Sequence, residues 1–228
     1  MILPEHEANR LLAAAGIPMI PLRTVDSANE AKTAAAVLGY PVVLKLSSSE
    51  YTHKTEVGGV CLNLTNEADV ADAFEKLKEL REQLDPRANI IMEPMSPAGA
   101  EFFIGFQHHP QFGPVLSLGF GGISLELFQD VAFRLLPAKE ADFREMLSEL
   151  KSWPKLQKGF RNLPPVDEMQ VLDVMGKVAG FALSHPGLKE LDLNPVVFRA
   201  DGAMVVDATI ILAEDAGQIP RQPLPGPA

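Results

Sequence analysis

Residues Leu44 to Val60, LKLSSSEYTHKTEVGGV, constrain the fold more than any other stretch. Just before and into it runs Pro41-Val-Val-Leu-Lys-Leu46, a nearly continuous apolar run with β-branched residues that reads as a buried strand. Lys45 sits inside that run, and a buried ammonium is costly unless an anion pairs with it. A polar turn follows, then the pair His53-Lys54, then Gly58-Gly59 ahead of a second apolar segment. Glycines let a backbone approach a phosphate closely and present its N–H groups. A strand lysine, a Gly-Gly loop and a neighbouring histidine share one simple partner, a polyphosphate. A plainer reading fits the same residues: Lys45 snorkels from a strand end, and Gly58-Gly59 is a hairpin turn. The pattern by itself leaves both open.

The chain has 228 residues, enough for one large or two small domains with a real core. Its apolar share of 46% and charged share of 22% are those of an ordinary globular enzyme. A net charge of −10, with no block of Lys or Arg, argues against nucleic acid or an anionic membrane as the main partner. It leaves nucleotides open, because a few local cations and amides hold those. The lone cysteine, Cys61, excludes an internal disulfide framework, reads as a small core residue and points to a reducing compartment. Glu5 and Glu7 come too early for a secretory signal, and no apolar run is long enough to span a bilayer. The expected location is cytoplasmic.

In chain order, Pro4 to Ala15 predicts a helix closed by Gly16. Ser27 to Leu38 predicts a second, with Ser27 and Glu30 as a capping box and Gly39 as its stop. The Lys45 strand returns through Val60 to Leu64, and Asn66 caps a third helix over 67–84. Strands are expected at 89–95, at 101–107 with a break at His108-His109-Pro110, and at 115–118. Residues 125–136 read as extended or partly helical, 139–150 as helix, 153–166 as irregular and 167–184 as an amphipathic helix. Strands at 190–198 and 204–211 flank the hairpin signal Ala200-Asp201-Gly202. Short turns between strands favour an α+β fold of two lobes, 1–95 and 96–216, over a doubly wound sheet. The Pro- and Gly-rich residues 217–228 read as a disordered tail.

A second constellation lies near the C-terminal end. In Leu191-Asp-Leu-Asn-Pro195, Asp192 and Asn194 share one face of a strand. Val205-Val-Asp207 adds a third oxygen donor across the hairpin. Such donors suit Mg²⁺, which takes few protein ligands and keeps waters and substrate phosphates. Hydrogen-bonded turn residues are the alternative, but an Asp within an apolar strand is costly without a partner, which favours the metal. Gly119-Phe-Gly-Gly122 with Glu126 is a glycine-rich turn without dinucleotide or P-loop spacing. His108-His109 reads as a surface loop, and His6 and His185 as exposed. His53, beside the Gly-Gly loop, is a candidate phosphoryl acceptor or a loop histidine that merely hydrogen-bonds.

With these residues in order, the chain resembles the ATP-grasp domain, or β subunit, of ADP-forming acyl-CoA (acetyl-CoA) synthetases, and more distantly the β subunit of succinyl-CoA synthetase. The stretches that carry the resemblance are GYPVVLKLSS, HKTEVGGV, PAGAEFFIG, PQFGPVLSLGFGGISLEL, DVAFRLLP, GFRNLPPVD, ELDLNP and VVDATIIL, from Pro4 to Leu212. The resemblance implies an ATP-grasp fold holding ATP or ADP and Mg²⁺ between two lobes. It implies that Lys45 meets the nucleotide phosphates, that Gly58 and Gly59 form part of the phosphate loop, and that the 91–95 strand, with Glu93 and Met95, lies over the adenine. Glu101 and Glu126 fall in family motifs and join the nucleotide-binding set. Asn194 and Asp207, with Asp192 close by, would hold Mg²⁺, and His53 would relay a phosphoryl group.

The CoA-binding and ligase domains of that family are absent from this sequence. The resemblance therefore implies a separate CoA-binding α subunit, through which a small organic acid and CoA reach the reaction. The expected net reaction is acid, CoA and ATP giving acyl-CoA, ADP and phosphate. A non-catalytic ATP- or ADP-sensing module of an acetyltransferase or regulator is the alternative. An amide-forming ligase acting through an acyl phosphate is a further one, and it would not need His53.

Overall fold

The computed structural model describes residues 1–51, 54–96, 98–121, 130–161 and 163–213. Two antiparallel sheets organise these residues, in the spatial order Arg23–Thr24, Asn89–Pro94, Val42–Ser47, Val60–Leu64 and Ala208–Leu212, Leu188–Arg199, Ala100–His109, Gly113–Phe120, Val131–Leu135, with Gly202–Val205 also paired to Leu188–Arg199. Helices and antiparallel strands are mixed, so the α+β expectation stands. No helix among the described residues is long and apolar enough to cross a membrane.

The first sheet holds β1 (Arg23–Thr24), β2 (Val42–Ser47), β3 (Val60–Leu64) and β4 (Asn89–Pro94). Helices α2 (Ala28–Leu38) and α3 (Glu67–Leu84) cover one of its faces. Both start where cap residues predict. Ser27 Oγ accepts from the Glu30 N–H at 3.2 Å, and Asn66 Oδ1 accepts from Ala68 and Asp69 at 2.9 and 3.0 Å. Glu30 closes its box one residue early, accepting from the Asp26 N–H at 2.9 Å. Val42, Leu44, Leu46, Ile90 and Met92 pack under these helices, with Cys61 at the margin. Side chains alternate along a strand, so Val43, Lys45, Ile91 and Glu93 point to the opposite face. All six residues of β2 are nonetheless buried, because that face is covered too.

The second sheet holds β5 (Ala100–His109), β6 (Gly113–Phe120), β7 (Val131–Leu135), β8 (Leu188–Arg199), β9 (Gly202–Val205) and β10 (Ala208–Leu212). Helices α4 (Glu140–Glu149), α5 (Trp153–Leu156) and α6 (Glu168–Ser184) contribute to the larger core. Phe102 is its centre, edge-on to Phe120 and Phe198 at 5.8 and 5.2 Å between ring centroids.

Several expectations need correcting here. β5 continues through His109, whose Nδ1 accepts from the Gln111 and Phe112 N–H groups at 3.2 and 3.3 Å and so starts the turn. Of the segment read as extended or partly helical, Val131–Leu135 is extended, as strand β7. One helical turn, α5, interrupts the irregular 153–166 segment, because Trp153 and Leu156 both enter the core. The single strand expected over 204–211 is two strands, β9 and β10, parted at Val206-Asp207.

The first twenty residues cross between lobes. Helix α1 (Glu5–Ala14) buries Ala8 and Leu12, with Leu3 and Ile17, in the second core. The Leu3 N–H bonds to the Ile210 carbonyl at 3.0 Å, and Ile20 and Pro18 bond to Val205 at 2.8 and 2.7 Å. The first sheet draws on residues 23–94 and the second on residues 100–212, while the second core also takes Leu3, Ala8, Leu12 and Ile17. The 217–228 tail lies outside the described residues.

Candidate functional site

Lys45 is only 6% exposed, and its charge is met on the sheet face turned away from α2 and α3. In the β2–β4 register Val43 opposes Glu93 and Lys45 opposes Ile91, so Lys45 and Glu93 are diagonal neighbours on that face. Lys45 Nζ lies 2.5 Å from Glu93 Oε1 and 3.2 Å from Glu5 Oε1. Glu5 comes from the first turn of α1, where the helix dipole favours a carboxylate. Its other oxygen accepts from Lys54 Nζ, and Lys54 also donates to Asp207 Oδ2 at 2.8 Å. The result is an alternating line, Glu93–Lys45–Glu5–Lys54–Asp207. It joins β4, β2, α1, the loop after β2 and the gap between β9 and β10.

Burial and charge act against each other along this line. Desolvation by itself would lower the Lys45 pKa, but Glu5, Glu93 and Asp207 outweigh it and raise the value above that of an ordinary lysine. Burial drives Glu93 up to about 7, against the pull of Lys45 and with help from the charges of Glu5 and Asp207. Glu93 Oε2 is buried with no hydrogen-bond partner among the described residues.

Next to Lys45, Ser47 accepts from the His6 N–H at 3.2 Å, and its Oγ lies 3.0 Å from His6 Nδ1. His6 is therefore half-buried between α1 and the first sheet, not exposed, and desolvation lowers its pKa. His185 is also half-buried, its ring 4.2 Å from that of Phe181.

The Gly58-Gly59 pair does what a turn requires. Gly58 has φ +73° and donates its N–H to Thr55 O at 3.1 Å. Gly59 donates to Lys54 O at 2.7 Å, and a Cβ on it would lie 3.0 Å from that oxygen and 3.3 Å from Leu46 Cβ. Both N–H groups are used inside the turn. His53 lies outside the described residues, as does Glu126.

The three C-terminal oxygen donors come from neighbouring stretches of the second sheet where it is irregular. Asn194 N–H bonds to Asp207 O at 3.1 Å and Val206 N–H to Pro195 O at 3.0 Å, which sets Asn194 and Asp207 opposite each other across the β9–β10 gap. Asp192 follows in register with Thr209 on one side and Gly105 on the other. Burial, then the charges of Glu190 and Asp207, raise the Asp192 pKa to about 6. Among the described residues no three His, Cys, Asp or Glu side chains converge on a point. Two carboxylates and an amide do not make a closed cage. They fit Mg²⁺, which retains waters and phosphate oxygens.

Glu101 is exposed on β5, four residues before Gly105 and so on the same sheet face as Asp192. Met95 donates its N–H to Pro41 O at 3.0 Å, tying the end of β4 to the start of β2. Arg134 bonds to Glu149 at 2.5 Å and belongs to the packing of α4 on β7. Sequence reasoning missed Glu5 and Lys54. Glu5 reads as a helix-start residue and Lys54 as a loop cation, and only the fold brings their partners to them.

The ATP-grasp domain family matches residues 1–212 of this chain. The β subunit of the ADP-forming acetate–CoA ligase I of Pyrococcus furiosus is 37% identical over 213 residues, which is 92% of this chain and 91% of that one. This chain belongs to the ATP-grasp family, in the branch of ADP-forming acyl-CoA synthetase β subunits. Solved structures of this ATP-grasp branch agree. An acetyl-coenzyme A synthetase from Ca. Korarchaeum cryptofilum, in complex with coenzyme A and Ca-AMPCP, superposes with a TM-score of 0.86 at 38% identity, covering 92% of this chain and 93% of that one. The same synthetase with coenzyme A and Mg-AMPPCP, its phosphohistidine segment pointing towards the nucleotide-binding site, gives 0.79 at 38% identity over 91% of each chain. The Lys45 line and the Asn194–Asp207 gap therefore lie within an ATP-grasp domain whose relatives bind metal–nucleotide analogues.

Proposed function

We propose that this chain is the nucleotide-binding β subunit of an ADP-forming acyl-CoA synthetase. The reaction would be acid, CoA and ATP giving acyl-CoA, ADP and phosphate. The observation that carries the reading is the line Glu93–Lys45–Glu5–Lys54–Asp207, closed to water from Glu93 to Lys54 and opening to solvent at Asp207. It holds two cations among three carboxylates in a seam between the sheets. Phosphoryl transfer needs positioning and charge neutralisation more than covalent machinery, and this seam supplies both.

In this reading Lys45 meets the nucleotide phosphates, and the Ile91–Met95 segment, with Glu93 and Met95, borders the base. Asn194 and Asp207 hold Mg²⁺ with Asp192 beside them, and the ion neutralises charge on the phosphates when bound. Gly58 and Gly59 form part of the phosphate loop and shape its turn. Glu101 and Glu126 complete the nucleotide-binding set. His53 accepts the phosphoryl group and passes it to a CoA-binding α subunit, a separate chain, which receives CoA and a small organic acid. A histidine relay divides one long transfer into two short ones. Naming of a relative as a β subunit supports the need for a partner.

The test is brief incubation with Mg²⁺ and γ-labelled ATP, with and without the α subunit, comparing wild type with His53→Ala. The expected result is acid-labile, base-stable label on the wild type only. ATP binding without label, even with the partner present, would overturn the relay and favour a nucleotide-sensing module.

A further inference from the structure

Lys54 is the least expected member of the line. Its ammonium is held by carboxylates from the two ends of the chain, Glu5 and Asp207, and its side chain is 12% exposed. Its backbone is equally constrained. Lys54 O receives the Gly59 N–H, and Gly59 O in turn receives the Leu46 N–H at 2.8 Å. The 54–59 turn is thus fastened to β2 in the first sheet, while the Lys54 side chain reaches the second sheet at Asp207. The contact at 2.8 Å ties that turn to the β9–β10 gap.

Asp207 is also the carboxylate best placed, with Asn194, to hold a divalent cation. A primary ammonium at hydrogen-bond distance and a doubly charged ion on one carboxylate repel each other, and although the Asp207 side chain is 34% exposed, Lys54 at 12% has little water of its own to screen the repulsion. Glu5 gives Lys54 a second anion on which to remain once it leaves Asp207. The structure therefore contains both a contact to break and a place for the displaced charge.

We propose that Lys54 and a divalent cation compete for the Asp207 carboxylate, so that metal–nucleotide binding releases the 54–59 turn from the second sheet. The inference rests on the reading of Asp207 as a metal ligand. Coupling of this kind is reciprocal: the Lys54–Asp207 contact weakens metal–nucleotide binding by the factor by which metal–nucleotide weakens the contact.

The experiment measures ADP affinity by calorimetry, in excess Mg²⁺ and in EDTA, for wild type, Lys54→Met, Lys54→Arg and Asp207→Asn. Lys54→Met is expected to bind Mg·ADP roughly threefold to tenfold more tightly, with its affinity in EDTA unchanged. Lys54→Arg is expected to follow wild type. Unchanged or weaker Mg·ADP binding by Lys54→Met would overturn the inference. Weakening in both media would make Lys54 a phosphate ligand instead. Asp207→Asn separates this inference from its premise. Full Mg²⁺ dependence in that variant would remove Asp207 from the metal site and the competition with it. Loss of Mg²⁺ dependence there, with Lys54→Met unchanged, would sink the competition alone. Should Lys54→Met fail to fold, amide exchange in wild type decides. Gly58 and Gly59 are expected to exchange faster with Mg·ADP than with ADP in EDTA, and equal or slower exchange would refute the release.

Discussion

Glu5 and Lys45 stand 40 residues apart in the chain and 3.2 Å apart in space, each more than nine-tenths buried. One carboxylate from the first turn of α1 serves a lysine in the middle of the other lobe's sheet, and Lys54 as well. A buried charge network of this kind tolerates the loss of a member poorly, because the remaining charges stay where they are.

Glu5→Ala is expected to destabilise the chain by about 3 kcal/mol or more, since it leaves two lysines short of a counter-charge. Glu5→Gln should cost less, keeping the shape and an acceptor. Urea unfolding of the three proteins checks this. An Ala variant within about 0.5 kcal/mol of wild type would mean that water reaches the seam.

Lys45→Met is expected to weaken ADP binding about tenfold to hundredfold, because charge-assisted hydrogen bonds to phosphate are lost, and to lower stability as well, because Glu5 and Glu93 lose a counter-charge. Titration calorimetry gives the affinity. Unaltered binding would place the phosphates away from β2.

Glu93 sets a pH dependence of stability whose sign follows from its raised pKa. Between its ordinary value of 4.5 and its value in the folded chain of about 7, the folded protein holds the extra proton, so stability falls as pH rises through that window. Below the window both states are protonated, and above it the full cost is present. Glu93→Gln is expected to remove up to about 3 kcal/mol of this fall between pH 5 and pH 8. Urea midpoints for both proteins at those two values are the check, and parallel pH profiles would contradict it.

Gly59→Ala is expected to cost about 1–3 kcal/mol, because the new Cβ meets the Lys54 carbonyl and Leu46, and neither is a flexible side-chain end. Thermal unfolding reports the loss. Nucleotide affinity should fall with it if the 54–59 turn borders the phosphates.

What was legible in the sequence was mostly local. Ser27 with Glu30, and Asn66 ahead of its helix, announce α2 and α3 because a cap acts on residues two or three positions away. The strand around Lys45 is visible for the same reason, since its apolar run is contiguous. The division of Met204–Ile211 into β9 and β10 was not legible. Nothing in the apolar pattern marks Val206-Asp207 as a break, which the pairing with Asn194-Pro195 across the sheet imposes. The site divides the same way. Lys45, Asp192, Asn194 and Asp207 attract notice as charged or polar groups in apolar strands. Glu5 and Lys54 sit where such residues are ordinary, a helix start and a polar loop, and their importance arises from contacts 49 and 153 residues away. His6 is another case, ordinary by sequence and wedged against Ser47 in the fold.

The packing of α1 on β10 bears on how the protein is made. Helix α1 docks on β10, almost 200 residues later in the chain, and residues 3 and 18–20 bond to residues 205 and 210. Residues 23–94 can assemble the first sheet and its two helices early, from contacts that are close in sequence. The second core must wait, with Leu12 and Ile17 held in solvent until residue 212 has emerged. Such late, long-range closure is slow and leaves apolar surface open to misassociation. The vulnerable interval in the life of this chain therefore runs from the emergence of α1 to that of β10, and chaperone demand should concentrate there.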